Sequence, residues 1–119
     1  MRDYTEIACI ERNGLDIIVD RTYEDLNPYD HFEESDAAEI CRKIDNGTYD
    51  WFMLRVRVLL AGHEFATTYL GGCLYEKPED VMTDGVADDM IFTALNEAKE
   101  EIVRMQKLMS ELDLDKITD

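Results

Sequence analysis

Basic residues are scarce in this chain: 12 Lys and Arg stand against 28 Asp and Glu, a formal net charge of −16 over 119 residues. A field of that sign repels nucleic acid and anionic membranes and draws in basic partners. Pairable cysteine is missing as well. Cys9, Cys41 and Cys73 are an odd number without close spacing, which excludes a disulfide framework and a CxxC metal or redox pattern. Their apolar neighbours predict buried free thiols, with Cys73, beside Gly71-Gly72, the one to check for reactivity. No apolar run approaches the roughly 20 residues of a membrane helix. Residues 1–6 are too polar for a signal peptide, so a soluble, cytoplasmic protein is expected. The only histidines, His31 and His63, lie beside no plausible nucleophile, and no Cys-His or Ser-His signature is present. Neither an EF-hand loop nor a phosphate-binding GxxxxGK[ST] occurs, so no catalytic residue, metal ligand or cofactor is nominated.

A hydrophobic content of 45% is ordinary for a globular protein, and 119 residues make one domain, expected over 1–112 with a frayed acidic tail at 113–119. The acids are not spread evenly. Residues 20–50 carry ten acids and three bases, and residues 76–101 carry nine and two. Residues 51–75, by contrast, hold only Arg55, Arg57 and Glu64.

The one long run of unbroken periodicity is 83–112. Ala87, Met90, Ile91, Ala94, Leu95, Ala98, Ile102, Met105, Leu108, Met109 and Leu112 recur at steps of three and four, one stripe of an α-helix. Before it, residues 4–12 and 15–23 flank Asn13-Gly14, a strong signal for a β-hairpin with a two-residue turn. That register sets Ile10 opposite Ile17, Ala8 opposite Val19 and Glu6 opposite Arg21. Residues 24–34 have loop composition with aromatic anchors. A short helix follows, capped by Ser35 or Asp36, with Ala37, Ile40, Cys41 and Ile44 as its apolar face and Asn46-Gly47 as its stop. Residues 51–60 alternate as a strand, Ala61-Gly62 turns the chain, and a further strand runs to a bulge or bend at Gly71-Gly72. The predicted register pairs Val58 with Phe65, Val56 with Thr67 and Leu54 with Tyr69, and places Arg57 diagonal to Glu64. The order is ββαββα: an α+β fold with a four-stranded antiparallel sheet and a short and a long C-terminal helix on one face.

Three surfaces are candidates. Asp88, Asp89, Glu97, Glu100 and Glu101 on the long helix, with Glu24, Asp25, Asp30, Glu33 and Glu34 in the loop, form an acidic surface for a partner. Duplex DNA carries one charge per about 1.7 Å of axis, a density that such carboxylates on a rigid scaffold approach. The bland reading is a solvated acidic face. Trp51, Arg55 and Arg57 are an alternative contact patch of the aromatic-and-arginine kind enriched at interfaces. Met105, Met109 and Leu112, at a helix end that outruns the sheet, are expected to pair two copies as a homodimer.

The stretch Gly47-Thr48-Tyr49-Asp50-Trp51-Phe52, then Ala61-Gly62-His63-Glu64 and Tyr69-Leu70-Gly71-Gly72, resembles a pattern in small acidic proteins encoded by tailed phages. That group includes anti-restriction and anti-CRISPR inhibitors. The resemblance implies no catalytic residues. It implies an inhibitor of a host defence complex in the host cell cytoplasm; the acidic surface adds the expectation of a stoichiometric DNA mimic that binds a basic nucleic-acid-handling protein. The alternative expectation is an acidic regulatory, adaptor or immunity-type protein whose contacts are unrelated to nucleic acid.

Overall fold

The computed structural model describes residues 3–119. Four strands, β1 (Thr5–Arg12), β2 (Leu15–Tyr23), β3 (Asp50–Leu60) and β4 (His63–Tyr75), form an antiparallel meander in chain order. Between β2 and β3 lie a one-turn helix α1 (Pro28–His31) and α2 (Glu34–Asp45), and α3 (Val86–Ser110) follows a 3-10 turn at Pro78–Met82. The order ββαββα and the α+β class therefore stand, with α1 as an addition. Asn27 caps α1 through its side chain and Pro28 occupies the first turn, so a stretch of loop composition holds one helical turn.

Alternation along β3 decides which face is covered. Phe52, Leu54, Val56 and Val58 are fully buried, while Trp51, Met53, Arg55, Arg57 and Leu59 are half-buried. Ile17 and Val19 of β2 join them under Ala87, Met90, Ile91, Ala94 and Ala98 of α3. Each large side chain so buried contributes roughly 1.5–3 kcal/mol. The small residues on α3 let the helix lie close to the sheet. α2 packs on α1, and its buried Ala37 lies outside the main core cluster.

Both hairpins close through left-handed pairs, Asn13-Gly14 (φ 53° and 84°) and Ala61-Gly62 (φ 49° and 82°), matching the two-residue turns expected. Two pairings depart from the predicted register. A bulge at Ile7 slips β1 by one residue, so Glu6 faces Asp20, and Arg21 faces Thr5. A second bulge at Phe65 pairs Val58 with Ala66, Val56 with Thr68 and Leu54 with Leu70. Tyr69 consequently turns away from the core and is exposed. The bulge expected at Gly71-Gly72 is present.

α2 starts at Glu34, with Glu33 at the cap position and no side-chain cap bond, so the cap lies two or three residues ahead of the predicted Ser35 or Asp36. It does end at Asn46-Gly47, where Gly47 has φ 83°. Gly85, at φ 94°, begins α3, and Asp84 accepts a hydrogen bond from the Val86 amide. Of the cysteines only Cys73 is buried; Cys9 is exposed and Cys41 half-buried, because Cys9 faces away from the core on an edge strand.

The molecule is long, 65 × 27 × 21 Å, with a radius of gyration of 18.8 Å. A compact chain of this length has about 13.5 Å. The α3 stripe accounts for part of the excess: it is buried through Ala98, half-buried at Ile102 and Met105, and exposed at Leu108, Met109 and Leu112. The 113–119 tail carries a 3-10 turn at Leu114–Lys116, capped by Asp113. No helix among the described residues is long and apolar enough to cross a membrane.

Candidate acidic interface

The chain leaves β2 at Tyr23 and must pass beneath β3 and β4 to build α1 and α2. Glu24 fixes that path, its carboxylate accepting a hydrogen bond from the Gly72 amide at the β4 bulge. A side chain at Gly71 would meet Glu24 Oε1 at 2.7 Å, and one at Gly72 would meet the His31 ring at 2.7 Å. Gly72 is needed for its φ of 68° and its closeness to the His31 ring, whereas at Gly71 a side chain would displace the end of the Glu24 carboxylate. His31, Phe32 and Trp51 pack as a cluster of three rings, His31 edge-on to the other two and those two tilted, with centroids 4.9 to 5.5 Å apart. The Trp51 indole donates to the Leu26 carbonyl at 2.9 Å. The loop is thus clamped by rings and backbone rather than by ion pairs.

The second acidic block arrives from the other side. Tyr75 donates its phenol proton to Asp84, which also accepts from Val86. That phenol bond, with the backbone bond second, holds the Asp84 carboxyl below its usual range. Burial, and then Asp84, push the Tyr75 phenol above its ordinary value. His31, Phe32, Gly72, Tyr75, Asp84 and Val86 line one open cavity of about 680 Å³, so the two blocks meet at one end of the molecule. Residues 24–36 bring six acids and no Lys or Arg, and residues 76–89 bring six acids and Lys77. Glu39, farther along α2, is paired with Arg42 and Lys43.

Among the nominated acids, Asp25, Asp30, Glu33, Glu34, Asp88 and Asp89 are exposed at this end. Among the described residues, no ion pair or side-chain hydrogen bond engages the carboxylates of Asp30, Glu33, Glu34, Asp88 or Asp89. Glu24 is committed to the bulge. Glu97 and Glu100 lie farther along α3, and Glu101 pairs with Arg104, a contact that lowers its carboxyl and raises the guanidinium. Asp80 and Asp84 also belong to the acidic end; their place in the 76–101 block was the signal for them.

The alternative patch is engaged within the fold. Trp51 sits in the three-ring cluster. Arg55 forks onto Asp20, with Nε to Oδ1 at 2.8 Å, and Arg57 reaches the same carboxylate at 3.5 Å, replacing the expected neighbour Glu64. The Asp20 side chain is only 4% exposed, and the Tyr4 ring lies 3.4 Å from the Arg55 guanidinium carbon. The Asp20 bond holds the Arg55 guanidinium above its ordinary value. Asp20 faces Arg55 across β2 and β3, so opposite charge at a cross-strand position was its available signal.

Burial pushes the Cys73 thiol up to about 11, which leaves it protonated and a poor nucleophile at neutral pH. Among the described residues, no three His, Cys, Asp or Glu side chains are grouped to hold a metal ion. What the arrangement does chemically is present unneutralised carboxylates on a fixed frame. No protein family, curated protein or solved structure matches this chain.

Proposed function

We propose that this chain is a non-enzymatic binding protein whose acidic end occupies the nucleic-acid channel of a basic host complex. A CRISPR or restriction system is the kind of target meant, and inhibition is stoichiometric. The observation that carries this reading is the meeting of two sequence-distant acidic blocks at one end, twelve acids against a single lysine over residues 24–36 and 76–89. Acids serving solubility alone have no need of a clamp; these are held by Glu24, His31, Phe32 and Trp51. The phage resemblance fits a protein acting in the host cytoplasm.

The test is capture from a bacterial lysate, eluting with salt steps and then competitor duplex DNA, followed by titration of the purified target's DNA binding. A basic complex released by either eluant, whose DNA binding is lost at one equivalent, supports the reading. A partner that survives both eluants supports the adaptor or immunity-type alternative. For that second reading the favouring observation is Phe92, 70% exposed on the outer side of α3. The bare end of α3 supports self-association through Met105, Met109 and Leu112.

A further inference from the structure

We propose that the groove between β4 and α3 takes an extended, Lys- or Arg-bearing segment of the partner, which joins the sheet as a fifth strand beside residues 66–70. This rests on the reading that the partner is basic, and it names how such a partner is gripped. β4 is an edge strand, paired among the described residues with β3 alone, and residues 66–70 run in unbroken register between the Phe65 and Gly71-Gly72 bulges. An open edge is a template for an added strand, whose main-chain bonds give affinity and whose alternate side chains give specificity.

Alongside that edge lies a groove of about 590 Å³ whose lining includes Thr68, Leu70, Asp89, Met90, Thr93 and Glu97. Asp89 and Glu97 are exposed and have no cationic partner among the described residues. The Thr68 hydroxyl is buried without a hydrogen-bond partner among the described residues. Eight helical residues separate the two carboxylates, about 12 Å along the axis. In a strand, residues i and i+4 share a face and lie about 13.6 Å apart. The fitting segment is therefore basic at i and i+4, with an apolar residue at i+2 over Leu70 and Met90. A second copy added through β4 would set Asp89 and Glu97 against their own counterparts, so charge favours the basic segment.

The probe is a labelled, end-blocked peptide of about nine residues, with Arg at i and i+4, Val at i+2 and Thr elsewhere. One control moves the second Arg to i+3, onto the opposite face. Another keeps the sequence and N-methylates alternate amides. Fluorescence anisotropy at about 0.15 M salt should show the probe binding about tenfold or more tightly than either control. The Asp89→Asn, Glu97→Gln protein should lose about tenfold, and Glu11→Gln, exposed on β1 at the opposite edge of the sheet, should lose nothing. Equal binding of all three peptides, or binding of none, overturns strand addition. So does self-association of the protein that the peptide reverses, because a second copy would then own the groove. If the double variant still captures its target and is still displaced by DNA, the groove inference fails while the acidic-end reading survives.

Discussion

The two ends of the molecule solve opposite problems. At one end two acidic blocks repel one another, and at the other the apolar stripe of α3 runs out of sheet to cover. The acidic end is built from close contacts: rings against rings, a carboxylate on a backbone amide, a glycine where no side chain fits. The α3 end has mixed charge, with Lys99, Arg104, Lys107 and Lys116 among Glu100, Glu101, Glu111, Asp113 and Asp115, and leaves Leu108, Met109 and Leu112 bare. Like charge in a cluster costs stability, so packing must offset it there. The difference teaches that the acidic array is positioned by the fold, whereas the apolar end is left for something else to complete.

The sharpest way to break this contrast is Gly72→Ala. The new methyl would need φ 68° and the space of the His31 ring, so we expect a loss of about 2–3 kcal/mol. Hydrogen exchange should lose protection in residues 24–32 while the first turns of α3 stay protected. Unchanged protection in 24–32 would show that the bulge does not hold the acidic loop.

Next comes charge reversal in both blocks, Asp30→Lys with Asp88→Lys. Both residues are exposed in first helical turns, so the cost in stability should stay near 1 kcal/mol. Target binding should weaken about 100-fold, or about 2.7 kcal/mol. Reversing Glu100, away from the acidic end, should cost far less. Equal losses from the two would mean that total charge acts, not the assembled end.

Much of this frame was legible in the residues. Asn13-Gly14, Ala61-Gly62 and the strict alternation of β3 announce strands and turns locally, because period and turn chemistry are local physics. Gly71-Gly72 announced its bulge for the same reason. The bulges at Ile7 and Phe65 use ordinary apolar residues with no composition of their own, and each shifts the register by one. That is why Glu6 lost Arg21 and Tyr69 left the core. The acidic site was half legible: both blocks stood out as composition, but their meeting depends on Glu24, His31 and Asp84 finding β4, which is tertiary. Trp51 and Arg55 looked like surface because nothing local reveals the ring cluster or the buried Asp20.

A smaller effect separates the clamp from the charge it holds. Tyr75→Phe removes the phenol bond to Asp84 at the entrance to α3 and should cost about 1 kcal/mol. Because Asp84's folded carboxyl is lowered, its stabilisation is present above the ordinary carboxylate value and fades as pH falls through the folded one. Asp84 is exposed, so solvent screening keeps that pH-dependent part well under about 1 kcal/mol. Thermal melts between pH 7 and pH 3 should therefore show a slightly shallower acid loss in the variant. An identical slope would mean that the phenol bond contributes nothing to the carboxylate.

The least effect on the folded chain, and the clearest on its company, is expected from Met109→Glu. Met109 is 57% exposed, so the single copy loses little, within about 0.5 kcal/mol. A two-fold pairing of α3 ends would bury Met109 beside Met105 and Leu112, and a carboxylate there would be desolvated without a partner. Charge favours this end over the other: mixed signs tolerate a copy of themselves, while two acidic ends do not. Such a pair also sends its acidic ends to opposite poles, offering two sites to a target. Sedimentation of the wild type should show a dimer that the variant dissolves, with unchanged helical content by circular dichroism. A wild-type monomer at all concentrations would remove the pairing and leave the bare end of α3 to a different protein.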